Sequence, residues 1–145
     1  AGAFAIITCT VYFFLLYGVL DMVQGELAVT YAFTFLISRA LSAYSVVTFP
    51  KASAKGTVAG FSKTAQTRVI QTTSVIYVLL GAAGMAFWQP VYAAAALLGA
   101  GITFIWYYRM AMKNFGGING DLAGCFLSVC ELVMPMTVVV VSHLL

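Results

Sequence analysis

The sequence predicts an all-α, polytopic membrane protein: a bundle of about five transmembrane helices forming a single transmembrane helical domain over residues 1–145. Three observations carry this. The chain is 63% hydrophobic and only 8% charged, whereas a soluble domain carries about 25% charged residues. Its apolar residues fall into five runs, each near the ~20 residues that cross a bilayer core as a helix. Its basic residues lie in alternate connections between those runs, the pattern that orients a polytopic protein. This composition excludes a soluble globular domain and a disordered chain, which needs low hydrophobicity and high charge.

The first run covers about 1–20 and is broken by Asp21, Gln24, Gly25 and Glu26. No Lys or Arg precedes it, so it lacks the basic region of a secretory signal. With no initiating Met, it reads as an internal start. The second run, about 27–49, stops at Pro50, which cannot continue a helix. A polar loop, 50–68, follows with Lys51, Lys55, Lys63 and Arg68. The third run, about 69–88, ends in a tight turn at Trp88-Gln89-Pro90. The fourth, about 91–108, ends at Tyr107-Tyr108-Arg109. A glycine-rich loop, 109–120, leads into the fifth run, about 121–145. Strands are excluded because these runs are too long for a barrel, and only helices otherwise satisfy their backbone in lipid.

The loops after the second and fourth runs hold the basic residues, and the turns after the first and third hold none. Loops 50–68 and 109–120 are therefore expected on the cytoplasmic side of a bacterial or archaeal cytoplasmic membrane. The net charge of +3 speaks to this topology and not to nucleic acid. Trp88, Trp106, Tyr107 and Tyr108 are placed to form an aromatic belt. Gly81 to Gly84 and Ala93 to Gly101 supply small residues for close helix approach. Cys9, Cys125 and Cys130 have no metal-binding spacing and are expected as buried thiols.

Two charges interrupt the apolar runs, and each costs ~2.5–3.5 kcal/mol at the centre of a helix on insertion scales. Arg39 and Glu131 each lie about ten residues from the cytoplasmic end of their run, about 15 Å deep at ~1.5 Å per residue. Equal depth and opposite sign leave an ion pair geometrically open, as they do a cavity or ligand contact for each. Ser38, Ser42 and Ser45 form one helical stripe, and Asp121, Gly124, Ser128 and Glu131 another. Each stripe is expected to face the bundle or a cavity, with hydroxyl-mediated helix packing as the plain explanation for the serines.

The segment Gly116-Gly117-Ile118-Asn119-Gly120-Asp121 carries the most specific chemistry. Glycines allow backbone to approach a ligand closely. Asn119 or Asp121 can cap the fifth helix, whose N-terminus favours an anion. A carboxylate there suits a divalent cation bridging to a phosphate. A capped helix after an ordinary loop accounts for the same residues. The basic loop 50–68 reads as a topology signal in contact with anionic lipid, or as a phosphate or nucleotide contact.

The pattern Gly116-Gly117-x-x-Gly120-Asp121-x-x-Gly124, followed by Glu131-Leu132, resembles the cobalamin synthase family of membrane ribazoletransferases. Ser38-Arg39, Lys55-Gly56 with Phe61, and the chain's end soon after Glu131 agree more loosely. The resemblance implies transfer of an adenosylcobinamide phosphate group from adenosylcobinamide-GDP to α-ribazole or its 5′-phosphate, with release of GMP. It implies Mg²⁺ as cofactor and a lipid bilayer as partner, and leaves assembly into an oligomer open. By this resemblance Asp121 is the candidate catalytic residue and metal ligand. Arg39, Lys55, Gly116, Gly117, Asn119, Gly120 and Glu131 are candidates for substrate binding. The family's aspartate-rich motif is absent, since Asp21 and Asp121 are the only aspartates. The expectation is thus a C-terminal portion of such an enzyme, inactive alone. A small membrane transporter or integral subunit would explain the helices equally well, but not the glycine–aspartate segment. A CDP-alcohol phosphotransferase has no positive support.

Overall fold

The structure, a computed structural model, describes residues 2–52 and 66–144. It contains five helices: α1 (Ala3–Met22), α2 (Glu26–Thr48), α3 (Thr67–Trp88), α4 (Pro90–Phe115) and α5 (Gly120–Leu144). All five are long and apolar enough to cross a membrane. The predicted all-α polytopic bundle is therefore present, and this is a membrane protein.

Local chemistry sets the helix ends. Phe49 adopts an extended conformation before Pro50, so α2 stops at Thr48. Gln89 alone separates α3 from α4, and Pro90 occupies the first position of α4, where its missing N–H costs nothing. Gly116 ends α4 in the left-handed region (φ 66°), a conformation that glycine adopts without a Cβ penalty.

The fourth helix departs from expectation. It continues through Arg109 to Phe115 and does not end near residue 108. Residues 109–115 include Met, Ala and Lys, all good helix formers, and Ala111 is buried. The connection to α5 shrinks to residues 116–119. For the same reason Tyr107 is not a belt residue. It is fully buried on the inner face of α4, stacked on Phe126 at 4.8 Å between ring centroids. Phe49 and Phe104 complete this cluster. Trp88, Trp106 and Tyr108 remain on the surface.

Packing is most extensive between α2 and α3 and between α4 and α5, with α5 also against α2. Glycines seat the bulky partners. A Cβ on Gly81 would fall 2.9 Å from Ile37, and one on Gly84 would fall 2.6 Å from Phe33. Across the second pair, Thr137 donates its hydroxyl to the Ala95 carbonyl at 3.0 Å. Helix α1 leans chiefly on α5 and buries only Val19. The cysteines differ from expectation: Cys130 is buried, but Cys9 and Cys125 lie on the bundle surface. A thiol is a weakly polar, small hydrophobe and tolerates either setting.

Candidate functional site: an intramembrane ion pair and a two-loop platform

The serine stripe of α2 faces inward as expected. Ser38, Ser42 and Ser45 are buried. Thr30 and Thr34 extend the same stripe and are also buried, which the sequence reading missed. Thr34 lies four residues before Ser38 and Thr30 four before that, and this spacing was the available signal. Thr34, Ser38 and Ser45 each donate to a carbonyl of their own helix, which lets these three hydroxyls pack without a bare polar group, whereas Thr30 Oγ1 has no such partner among the described residues.

At the edge of this seam Arg39 pairs with Glu131. The same carboxylate oxygen, Oε1, accepts a hydrogen bond from Ser38 Oγ at 3.1 Å. The two sides of the pair differ in setting. The Glu131 side chain is 14% exposed and that of Arg39 59%. The Arg39 guanidinium also lies 5.4 Å from the centre of the Phe35 ring, one turn earlier. Pro135 sits one turn beyond Glu131 inside α5. Lacking an N–H, it leaves the Glu131 carbonyl without its usual helical partner.

The second stripe is placed differently from the first. Asp121, Gly124 and Ser128 are exposed, and only Glu131 is partly covered. This stripe lies open on α5.

At the end of the bundle that holds the basic loop, two connections join. Lys51 and Ile118 form an isolated parallel bridge. Ile118 N–H donates to Pro50 O at 2.8 Å, and Ala52 N–H donates to Ile118 O at 3.0 Å. Gly117 makes this contact possible: a Cβ there would lie 2.5 Å from both Ala52 N and Lys51 C. The close approach Gly117 permits is therefore to the 50–52 backbone. Asn119 Oδ1 accepts from Leu122 N–H at 2.8 Å and caps α5. Gly120 opens that helix, and Asp121 projects from its first turn into solvent. Lys51 donates to Phe49 O at 2.5 Å, and partial burial pulls its pKa below the ordinary lysine range.

Of the sequence-derived site residues, the structure brings Gly116, Gly117, Asn119, Gly120 and Asp121 together in one platform. It places Arg39 and Glu131 together deeper in the bundle. Lys55, with Lys63, lies outside the described residues. Among the described residues no group of three or more His, Cys, Asp or Glu side chains comes together. They do not by themselves form a metal centre.

A helical bundle with a paired charge within its spans and a glycine-built platform at one end is a polytopic membrane protein that carries polar groups both inside its spans and at one surface. The chain belongs to the cobalamin-5-phosphate synthase family, whose profile matches residues 1–139. It is 39% identical over 140 residues to an adenosylcobinamide-GDP ribazoletransferase of Lachnoclostridium phytofermentans, covering 97% of this chain and 54% of that protein. It is 40% identical over 72 residues to one of Pyrococcus abyssi, covering 47% of this chain and 27% of that protein. The chain thus spans about half the length, or less, of the curated relatives it matches. No solved structure matches it. These relatives favour the transferase reading over the transporter one.

Proposed function

We propose that this chain forms part of an adenosylcobinamide-GDP ribazoletransferase. The reaction joins adenosylcobinamide-GDP to α-ribazole or its 5′-phosphate. The acceptor hydroxyl attacks the phosphorus next to cobinamide, the bond to the bridging oxygen breaks, and GMP leaves. The observation that carries this reading is the extent of the likeness to the L. phytofermentans enzyme, 97% of this chain.

The platform supplies the chemistry that this segment can offer. The N-terminus of α5 favours phosphate through its free N–H groups and its dipole. Lys51 adds a cation at the same end. Asp121 orients the acceptor hydroxyl, and Gly116, Gly117, Asn119 and Gly120 hold it in place. Arg39 and Glu131 shape the inner wall of the substrate pocket, and Lys55 contacts a phosphate. Magnesium dependence belongs to the proposal as a property of the whole enzyme. Asp121 is the one carboxylate that the platform offers, and the remaining ligands come from outside the described residues. The platform faces the cytoplasm, and the membrane is the cytoplasmic one. Without the rest of the enzyme the chain is inactive.

A chimera tests this. The 140 matched residues of this chain replace their counterpart in the L. phytofermentans enzyme, in a host lacking its own ribazoletransferase. Growth that depends on cobalamin is expected. Failure of a well-expressed, membrane-inserted chimera would count against the proposal.

A further inference from the structure

We infer that the outer face of α4 binds the phosphate of an anionic phospholipid in the leaflet on the side of the two-loop platform. Helix α4 has 26 residues and so measures ~39 Å at ~1.5 Å per residue. The hydrocarbon core is ~30 Å thick, and an average tilt of ~20° shortens the helix's projection only to ~37 Å. The one-residue turn at Gln89 ties the start of α4 to the opposite surface. The excess therefore emerges at the far end, and the last turns of α4 stand in the headgroup layer.

Those turns carry a graded stripe. Ile102, Ile105, Trp106, Arg109 and Lys113 follow one another at helical spacing and line a single surface groove. All five are exposed. The order is apolar, then Trp, then two cations, matching acyl chain, interface and headgroup in turn. No acidic residue lines the groove. The ion pair among the described residues is Arg39 with Glu131, so Arg109 and Lys113 carry uncompensated charge there. A basic residue near an anionic leaflet contributes roughly fivefold in affinity, so the two together give roughly thirtyfold. An anionic diacyl phosphate satisfies both halves of this stripe, and a soluble phosphate only one. The inference does not depend on the transferase reading.

Native mass spectrometry in detergent of the chimeric enzyme that carries this chain's matched residues, titrated with phosphatidylglycerol or phosphatidylcholine, tests it. The expected result is preferential retention of phosphatidylglycerol. Arg109→Gln with Lys113→Gln should weaken that retention about thirtyfold, and each single change about fivefold. Asp21→Asn, which removes an exposed charge at the opposite end of the bundle, should leave it unchanged. Circular dichroism checks the fold, and if the double variant loses helicity the single variants carry the comparison. Equal binding of the two lipids, unchanged retention in the variants, or displacement of phosphatidylglycerol by inorganic phosphate would each overturn the inference. The last would mark a soluble-phosphate site.

Discussion

Glu131 of α5 accepts through one oxygen from two consecutive residues of α2, the Ser38 hydroxyl at 3.1 Å and the Arg39 guanidinium. The contact joins helices far apart in sequence at the depth where a lone charge is most expensive. Arg39 is more exposed than Glu131, so the loss of each partner has a different consequence.

Removing Arg39 strands a largely covered carboxylate, whereas Glu131→Gln keeps an acceptor for both donors. Arg39→Ala should destabilise by about 2–3 kcal/mol, at or below the lower end for a fully buried pair because Arg39 is half open. Glu131→Gln and Ser38→Ala should each cost about 1 kcal/mol. A double-mutant cycle with Arg39→Ala and Glu131→Ala, followed by unfolding in detergent, reads the coupling. Strict additivity would mean that the pair contributes nothing.

The glycines divide by position. Gly117→Ala places a Cβ 2.5 Å from the 50–52 backbone and should break the bridge. Gly116→Ala meets a positive φ of 66° and should cost about 1 kcal/mol. Gly124 has open space around it, so Gly124→Ala should stabilise α5 by up to about 1 kcal/mol through helix propensity. Hydrogen exchange at the Ile118 amide separates them. It should accelerate sharply in Gly117→Ala and stay slow in Gly124→Ala.

Asn119→Ala removes the cap on Leu122 N–H and should cost about 1 kcal/mol, with Asn119→Asp restoring most of it. Thermal unfolding of the three proteins checks this order.

Burial depresses the Lys51 pKa below 10.5. The folded state therefore holds this proton less tightly than the unfolded state. Stability from this group rises as pH climbs from the depressed folded value toward 10.5. The direct readout is amine labelling followed by mass spectrometry. Lys51 should reach half-maximal reactivity at lower pH than unfolded lysine, and an equal or higher midpoint would contradict the assignment.

Much of this was legible in the residues. Apolar run length and the placement of Pro50 and Pro90 mark several helix ends, because those residues act on the backbone locally. Arg39 and Glu131 announce themselves through cost, and their equal depth made a pair an open option. The end of α4 was not legible. Tyr107-Tyr108-Arg109 resembles an interfacial border, yet the helix runs on because Ala111 and Met112 still pack inward. Nor was the partner of Gly117 visible. A glycine that admits a ligand and one that admits another loop read identically until the 50–52 backbone is in place. The open setting of Asp121, Gly124 and Ser128 depends on which helix covers α5, and periodicity alone does not specify that.

We propose that Asp121, at the start of α5, serves the transfer of the adenosylcobinamide phosphate group to α-ribazole. The most direct test is GMP release from adenosylcobinamide-GDP and α-ribazole by the chimeric enzyme, with and without Asp121→Ala. The account predicts a loss of activity of at least about a hundredfold, typical of removing a positioned acid–base group, at unchanged membrane abundance. Undiminished GMP release would contradict it.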